Sequence, residues 1–226
     1  MLLQGIKKAF TMAEVLVVIA VIGITASLAL PQVNNGMEDK KVVAALRKIY
    51  PELQSAYEAV VSKHGNPAEW TLPSGSTRSS LMYNYLLQEL SVAKGCGSSK
   101  GCFVSDNNLE TTSAHYKMIL KDGSFLSVWV RDNDLNTAIR NVQTGSDNCG
   151  HMGDIYVDVN GKNGENQNGM DIFGFNICYE GGITPKGTEL STPYTSDAKT
   201  AWVIKAGNRD YLKCNDLNWN TKRTCK

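Results

Sequence analysis

The sequence lacks an excess of charge of either sign. Its 226 residues include 23 basic and 22 acidic side chains, for a formal net charge of +1. A protein that binds nucleic acid usually carries a strongly basic face, so this class of function is not expected. The length fits one modest globular domain in addition to the apolar segment described below.

Histidine and the common catalytic motifs are also scarce. The three histidines, His64, His115 and His151, lie far apart, and none belongs to an H-E-x-x-H pattern. The one G-x-S-x-G string, at residues 97–101, lies in the compact loop between Cys96 and Cys102 and not at a strand-to-helix turn, and no phosphate-binding glycine loop is present. Cys149 and His151 could form half of a metal site, but a disulfide-bonded cysteine beside a surface histidine is the favoured interpretation. We therefore do not expect an enzyme.

Charge is nearly absent from one long stretch close to the start of the chain. Residues 10–30 read FTMAEVLVVIAVIGITASLAL and contain one ionisable side chain, Glu14. As a helix, this stretch would be about 31 Å long, enough to cross a bilayer core of about 30 Å. Lys7 and Lys8 precede it, which places the N-terminus on the cytoplasmic side. The stretch therefore predicts a membrane-spanning helix.

Glu14 is an unusual residue for such a helix. A carboxylate inside a membrane costs about 2.5–3.5 kcal/mol, so Glu14 is a functional candidate. Thr11 and Glu14 also fit a capping box, in which both residues satisfy free N–H groups at a helix start. A further interpretation is an ordinary secretory signal peptide, with its basic part at Lys7 and Lys8 and its cleavage site after Ala29.

Several features follow one another in a characteristic order at the N-terminus. Residues 7–14 read KKAFTMAE, a long apolar run comes next, and Pro31 follows it. This order resembles the class III signal of type IV pilins and type II secretion pseudopilins. The resemblance implies that a prepilin peptidase cuts between Ala9 and Phe10 and methylates the new amine of Phe10. Glu14 then corresponds to the family's acid at the fifth mature position, whereas Ala9 departs from the usual glycine.

The resemblance also implies a function. The chain would be a structural subunit of a type IV pilus or type II secretion pseudopilus, assembled into a fibre through its N-terminal helix. Its partners would be homologous subunits, the prepilin peptidase and an inner-membrane assembly platform. It would first lie in the inner membrane as a single-pass protein with its C-terminal domain outside the cytoplasm, and then in the fibre. The alternative is an exported calcium-dependent binding module with an ordinary signal peptide.

Helical periodicity returns after the apolar run. One apolar stripe recurs at spacings of three and four residues, formed by Val42, Leu46, Ile49, Leu53, Ala56 and Val60. Gly65 and Pro67 predict the end of this helix. A second, shorter helix is predicted over residues 79–92.

Strand signals dominate the second half of the chain. Asp122-Gly123 between two apolar runs predicts a hairpin with a type I′ turn, in which Leu120 faces Phe125 and Tyr116 faces Trp129. Further strands are predicted over residues 154–159, 172–179 and 201–205.

The predicted fold class is α+β and pilin-like. A long N-terminal helix, with a membrane-spanning first half, packs on an antiparallel sheet of about four strands, and the C-terminal region bears a disulfide. The predicted segments are a leader peptide at residues 1–9, a hydrophobic helix at residues 10–33 and a globular domain outside the cytoplasm at residues 34–226.

The six cysteines form an even set, as expected of an exported domain with disulfides. Pairing of sequence neighbours gives three disulfides: Cys96–Cys102, Cys149–Cys178 and Cys214–Cys225. The last pair resembles the C-terminal disulfide loop of many pilins. Other connectivities remain open at this point. Cys96 and Cys102 lack a nearby histidine and a C-x-x-C spacing, which favours a disulfide over a metal site.

Oxygen-bearing side chains crowd the loop at residues 158–171. Calcium prefers six to eight oxygen ligands, which such a glycine-containing loop can supply. The proposed ligands are Asp158, Asn160, Glu165, Asn168 and Asp171. The loop is not an EF-hand, but it resembles a calcium loop of major pseudopilins. The alternative is a plain strand connection, because asparagine and glycine tolerate left-handed turns.

Overall fold

The computed structural model describes residues 11–67, 70, 77–103, 108–131, 149–163, 166–187, 193–195 and 198–225, with the side chains of all but residues 26–35 and 77. The chain divides into two compact units, Met1–Lys41 and Val42–Lys226. The helices are α1 (Met12–His64), α2 (Thr77–Glu89), α3 (Asn108–Thr111) and α4 (Lys199–Ala206), followed by a short 3₁₀ helix (Asp210–Leu212). The strands are β1 (Val92–Gly97), β2 (Tyr116–Leu120), β3 (Phe125–Val130), β4 (His151–Asp158), β5 (Ile172–Cys178) and β6 (Gly182–Pro185).

The membrane-spanning segment that the sequence predicted is not found. Within the ranges described above, no helix is both long and apolar enough to cross a membrane. The predicted fold class is therefore wrong in the membrane-spanning first half of its helix. The predicted single-pass location in the inner membrane is wrong for the same reason.

The second unit is built around the amphipathic part of α1. All six residues of the predicted stripe are buried, and Leu46 and Leu53 have no exposed surface. All of them except Val60 belong to one core cluster with the inward-facing residues of α2, the sheet and α4. The ring of Tyr50 stacks on Phe175 with centroids 5.8 Å apart. The Tyr57 hydroxyl donates a hydrogen bond of 3.0 Å to the Cys178 carbonyl, which ties α1 to β5.

The end of α1 agrees with its sequence signal. Gly65 adopts a φ of 80° and its N–H donates to the Val61 carbonyl at 2.9 Å. A residue without a Cβ adopts this left-handed conformation at little cost, which is why glycine commonly follows the last helical turn.

The sheet has six antiparallel strands in chain order, β1 to β6, rather than the predicted four or so. Two strands were missed, β1 and β6, and both lie at an edge of the sheet. Their sequences, VAKGCG and GITP, contain glycine and proline and lack a clear apolar alternation. Their pairing with β2 and β5 therefore depends on the neighbouring strand more than on their own propensity.

The β2–β3 hairpin forms where predicted, but in a different register. Ile119 pairs with Phe125 and Tyr116 with Val128, one residue away from the predicted pairs. The loop holds three residues, because the N–H of Leu120 donates to the Ser124 carbonyl at 2.9 Å. Gly123 has a φ of 92°, which is typical of the three-residue hairpin loop that ends in a left-handed residue. The predicted type I′ turn is therefore wrong.

Residues 201–205, predicted as a strand, lie in helix α4. Trp202 and Val203 of this helix are completely buried. Gly207 closes the helix with a φ of 75°, and its N–H donates to the Val203 carbonyl at 3.0 Å. Thr200 also accepts a hydrogen bond of 3.0 Å from the N–H of Gly174 in β5. Tertiary packing thus outweighs the strand propensity of the Trp-Val-Ile run.

Replacement of Leu53 by alanine tests the packing of α1. We expect the free energy of unfolding to fall by about 2–5 kcal/mol, because the fully buried side chain leaves a cavity in the core. The matched control is Ser55→Ala on the exposed side of the same helix turn, which should change it by less than about 0.5 kcal/mol. Urea denaturation followed by circular dichroism measures both, and equal effects of the two variants would contradict the packing.

Candidate functional site

Thr11 and Glu14 form a capping box at the start of α1. The Glu14 carboxylate accepts hydrogen bonds of 2.8 Å from both the N–H and the hydroxyl of Thr11. In return, the N–H of Glu14 donates to the Thr11 hydroxyl at 3.2 Å. These bonds, the one from the backbone first, lower the pKa of Glu14 below its ordinary value, so the side chain is ionised at neutral pH. One of the interpretations left open by the sequence is therefore present in the structure.

The helix that follows this cap is apolar around its whole circumference. Its large side chains remain exposed, from 45% at Val15 to 65% at Leu16. Val17, Val18 and Ile19 are successive residues, about 100° apart around the helix, and are exposed to about the same degree. Soluble domains rarely expose a continuous apolar surface of this kind unless a partner covers it. The predicted cleavage site, Ala9 and Phe10, lies outside the described residues.

The loop between β4 and β5 brings two carboxylates together in the protein interior. Asp158 is the last residue of β4, Asp171 immediately precedes β5, and their exposed fractions are 0% and 2%. One oxygen of Asp158, Oδ1, accepts hydrogen bonds from the N–H groups of Asn160 at 3.2 Å and Gly161 at 2.9 Å. The Asp171 oxygens accept the N–H groups of Asn166 at 2.8 Å and Gln167 at 2.7 Å.

Gly161 is required by the tight packing of this turn. Its φ is 64°, and a Cβ at this position would lie 2.3 Å from the Gly123 carbonyl oxygen. A side chain here would therefore push the loop away from the β2–β3 hairpin.

Two side-chain oxygens near the start of the loop are buried and accept no hydrogen bond from any residue that the structure describes. These are Oδ2 of Asp158 and Oδ1 of Asn160. The side-chain nitrogen of Asn160 donates a hydrogen bond of 3.4 Å to Oδ2 of Asp171. The side-chain oxygen of Asn160 takes no part in this bond. Buried polar oxygens without a donor are rare in proteins and require an explanation.

The electrostatic interaction between Asp158 and Asp171 is unfavourable when both carboxylates are charged. Burial, and then the charge of Asp171, raise the pKa of Asp158 to about 7, although hydrogen bonds from Asn160 and Gly161 oppose the shift. Within the described part of the chain, no lysine or arginine forms an ion pair with either acid. A divalent cation would relieve this repulsion, because two carboxylates and neutral oxygens are ligands that calcium prefers.

The other predicted calcium ligands are not all brought to this pair. The Asn168 side chain is exposed, and its backbone carbonyl accepts a hydrogen bond of 3.1 Å from Lys199. Glu165 lies outside the described residues. In the ranges that are described, no three Asp, Glu, His or Cys side chains cluster as a metal site. The core of the candidate site is therefore Asp158, Asn160 and Asp171.

All six cysteines are oxidised in the pairs that the sequence predicted: Cys96–Cys102, Cys149–Cys178 and Cys214–Cys225. The second disulfide follows from strand register, because His151 pairs with Cys178 and the N–H of Tyr179 donates to the Gly150 carbonyl at 3.0 Å. Three disulfides fit an oxidising compartment, periplasmic or extracellular.

The sheet face opposite the core carries a buried polar cluster that the sequence analysis missed. Asp154 is only 7% exposed, and it pairs with His151 and with Lys186, each at 2.9 Å. Burial alone would raise the pKa of Asp154, but the hydrogen bonds from His151 and Lys186 lower it below the usual value. Lys186 also donates to the Tyr156 hydroxyl at 3.1 Å. His151, considered above as half of a metal site with Cys149, thus bonds to a carboxylate.

His115 belongs to the same face. Its ring lies nearly parallel to those of Trp129 and Tyr156, with centroid distances of 6.3 Å and 6.1 Å. Its Nδ1 is 2.9 Å from the hydroxyl of Ser127, which is fully buried. Burial lowers the pKa of His115, with the lysines nearby adding to the effect and Asp154 opposing it, so the ring is neutral at pH 7.

A sequence signal for this face exists. Ser127 and Trp129 alternate along β3, Asp154 and Tyr156 alternate along β4, and the strands pair Ser127 with Tyr156. Polar and aromatic residues at every second position predict one shared face of a sheet. Strands β3 and β4 were predicted from the sequence, whereas the shared face of their outward residues was not.

No protein-family model matches the chain, and no solved structure matches its fold.

Proposed function

We propose that this chain is a structural subunit of a type IV pilus or type II secretion pseudopilus. A prepilin peptidase cleaves it between Ala9 and Phe10 and methylates the new N-terminus. The mature chain joins homologous subunits through its N-terminal helix, and the disulfide-bonded domain lies on the outside of the fibre.

The observation that carries this proposal is the exposed apolar start of α1. Side chains such as Leu16, Ile19 and Ile22 are 59–65% exposed in the single chain. Burial of apolar surface contributes about 25 cal/mol per Å², so association of several such helices is strongly favoured. The N-terminal helices of neighbouring subunits would cover one another, because every copy exposes the same apolar side chains on all sides of this helix.

Glu14 supplies the specific contact in this association. It is the one acid of an apolar segment, and its carboxylate is charged at neutral pH. Once helices pack around it, a buried carboxylate requires an opposite charge. The new amine of Phe10 on a neighbouring subunit provides this charge.

Calcium binding at Asp158, Asn160 and Asp171 is a second part of the proposal. The two buried oxygens without a donor and the repulsion between the two carboxylates support it. The ion would supply charge neutralisation and hold the β4–β5 loop to the sheet. The loop also favours a second candidate function, an exported calcium-dependent binding module whose first 29 residues are a plain signal peptide.

The mature N-terminus distinguishes the two functions. We expect mass spectrometry of the protein from its native host to identify a chain that begins with N-methylated Phe10. A chain that begins with Leu30 would instead support the binding module and contradict the fibre subunit. The Ala9→Gly variant restores the residue usual for the family and should increase the processed fraction, whereas Ala13→Gly, on the other side of the cut, serves as the matched control.

A further inference from the structure

A cavity of about 510 Å³ opens on the outer face of the sheet, beside the β4–β5 loop. Its size lies within the range of about 300–1,000 Å³ that is usual for small-molecule sites. Neutral polar side chains make up most of its lining, namely Asn108, Thr112, His115, Tyr156, Asn166 and Asn168. Two apolar side chains, Leu109 and Ile172, complete it.

The cavity carries no formal charge at its described lining. None of these side chains is an acid, a lysine or an arginine, and burial keeps His115 neutral at pH 7. The lining itself offers no counter-charge to a phosphate, a carboxylate or an ammonium group, and Lys186, which contacts the Tyr156 hydroxyl, is paired with Asp154 at 2.9 Å. A neutral ligand therefore fits the cavity best. Amide and hydroxyl groups both donate and accept hydrogen bonds, and a ligand rich in hydroxyls does the same.

Two groups in the cavity are oriented by the sheet. Lys186 donates to the Tyr156 oxygen at 3.1 Å, which leaves the proton of the Tyr156 hydroxyl for a ligand. His115 contacts Ser127 through Nδ1 at 2.9 Å, which leaves its Nε2 for a ligand. The Trp129 ring, nearly parallel to that of His115, supports it from the neighbouring strand. These groups are held in place before any ligand binds, which reduces the entropy lost on binding.

We propose that this cavity binds a neutral carbohydrate, such as the terminal sugar of a glycan. A sugar presents hydroxyls along its edge and weakly positive C–H groups on its face. The hydroxyls match the amides, the Tyr156 hydroxyl and His115, and the C–H groups match the apolar side chains of Leu109 and Ile172. The inference concerns the outer face of the globular unit and depends neither on fibre assembly nor on calcium.

A glycan array probed with the purified full-length chain tests this proposal. We expect neutral glycans to be retained and sialylated or sulfated ones to be depleted, both with calcium and with chelator. Calorimetric titration of the best neutral sugar then gives a dissociation constant for each variant.

Two variants and their matched controls locate the site. Tyr156→Phe keeps the ring and removes the hydroxyl, and Asn168→Ala removes an exposed amide that lines the cavity. Each should weaken binding by about tenfold, the usual effect of one lost hydrogen bond. The controls are Tyr85→Phe and Asn84→Ala on α2, outside the cavity, which should leave the dissociation constant unchanged.

Several results would overturn the proposal. These are the absence of any retained neutral glycan, a preference for acidic glycans, and equal losses in the cavity variants and the α2 controls. Circular dichroism of each variant ensures that a loss of affinity is not a loss of fold. If Tyr156→Phe unfolds the chain, Asn168→Ala alone decides the question. The Asn168 side chain is exposed, and the hydrogen bond that Asn168 accepts from Lys199 is made by its backbone carbonyl, which the substitution keeps.

Discussion

The Asp158→Asn variant should be more stable than the wild-type protein without calcium, and calcium should no longer stabilise it. In the wild type, two buried carboxylates repel each other, and Oδ2 of Asp158 has no donor. Asparagine removes one charge and keeps the oxygen that accepts the N–H groups of Asn160 and Gly161. Because a calcium ligand is lost with the charge, the stabilising effect of the ion disappears as well.

The expected size of the effect follows from mass action. Calcium at about 100 times its dissociation constant adds about 2.7 kcal/mol, or roughly 5–10 °C in melting temperature for a domain of this size. Asp158→Asn should raise the melting temperature in chelator by about 2–4 °C, the change that corresponds to about 1 kcal/mol. Thermal unfolding in millimolar calcium and in excess chelator measures both values.

The same group makes the stability of the calcium-free protein depend on pH. The pKa of Asp158 is about 7 in the folded chain, against about 3.9 in the unfolded chain. The folded state therefore holds the proton more tightly, and the free energy of unfolding falls as the pH rises from about 4 to about 7. Asp158→Asn should remove this fall, and saturating calcium should reduce it.

The matched control is Asp216→Asn, which removes an exposed carboxylate that pairs with Lys222 at 2.6 Å. It should leave both the calcium response and the slope of stability between pH 4 and pH 7 unchanged. If the wild-type melting temperature does not respond to calcium, the loop is a plain strand connection and the calcium proposal is wrong.

Loss of the Glu14 charge should block fibre assembly without affecting cleavage of the leader. Glu14→Gln is the decisive variant, because glutamine can also complete a capping box with Thr11. It therefore keeps the helix start and removes only the charge. We expect its incorporation into fibres to fall at least about tenfold, since removal of one partner from a buried ion pair costs about 3–5 kcal/mol.

Co-expression with the wild-type chain and quantification of each form in sheared fibres provides the measurement. Glu14→Ala, which loses both the cap and the charge, should be incorporated no better than Glu14→Gln. The control is Glu38→Gln, an exposed acid further along α1, which should be incorporated normally. Wild-type incorporation of Glu14→Gln would show that the carboxylate acts only as a helix cap.

Local patterns in the sequence were sufficient for several parts of this protein. The apolar stripe from Val42 to Val60 predicted the buried face of α1, because a spacing of three and four residues places side chains on one side of a helix. Gly65 marked the end of α1, and Asp122-Gly123 marked a hairpin. The disulfide pairs followed from proximity along the chain, since close cysteines meet easily in a small loop or across a hairpin.

Other features depend on contacts between residues that are distant in the sequence, so no local sequence pattern predicts them. The register of the β2–β3 hairpin depends on a three-residue loop, and a slip of one residue exchanges the faces of a strand. The Trp202 region is a helix because it is buried between β5, β6 and the C-terminal region, against its strand propensity.

For the candidate sites, the sequence determined which residue types are present. The tertiary structure determined how deeply these residues are buried and what they contact. Asp158 and Asp171 were identified as possible ligands because they end the loop between two strands. Their environment depends on how the loop packs on the hairpin and on residues 199–211. This packing buries both acids, leaves one oxygen of Asp158 without a described donor and exposes Asn168. The cavity beside His115 and Tyr156 likewise exists only in the folded sheet, because separate strands and α3 supply its walls and chain proximity alone does not bring them together.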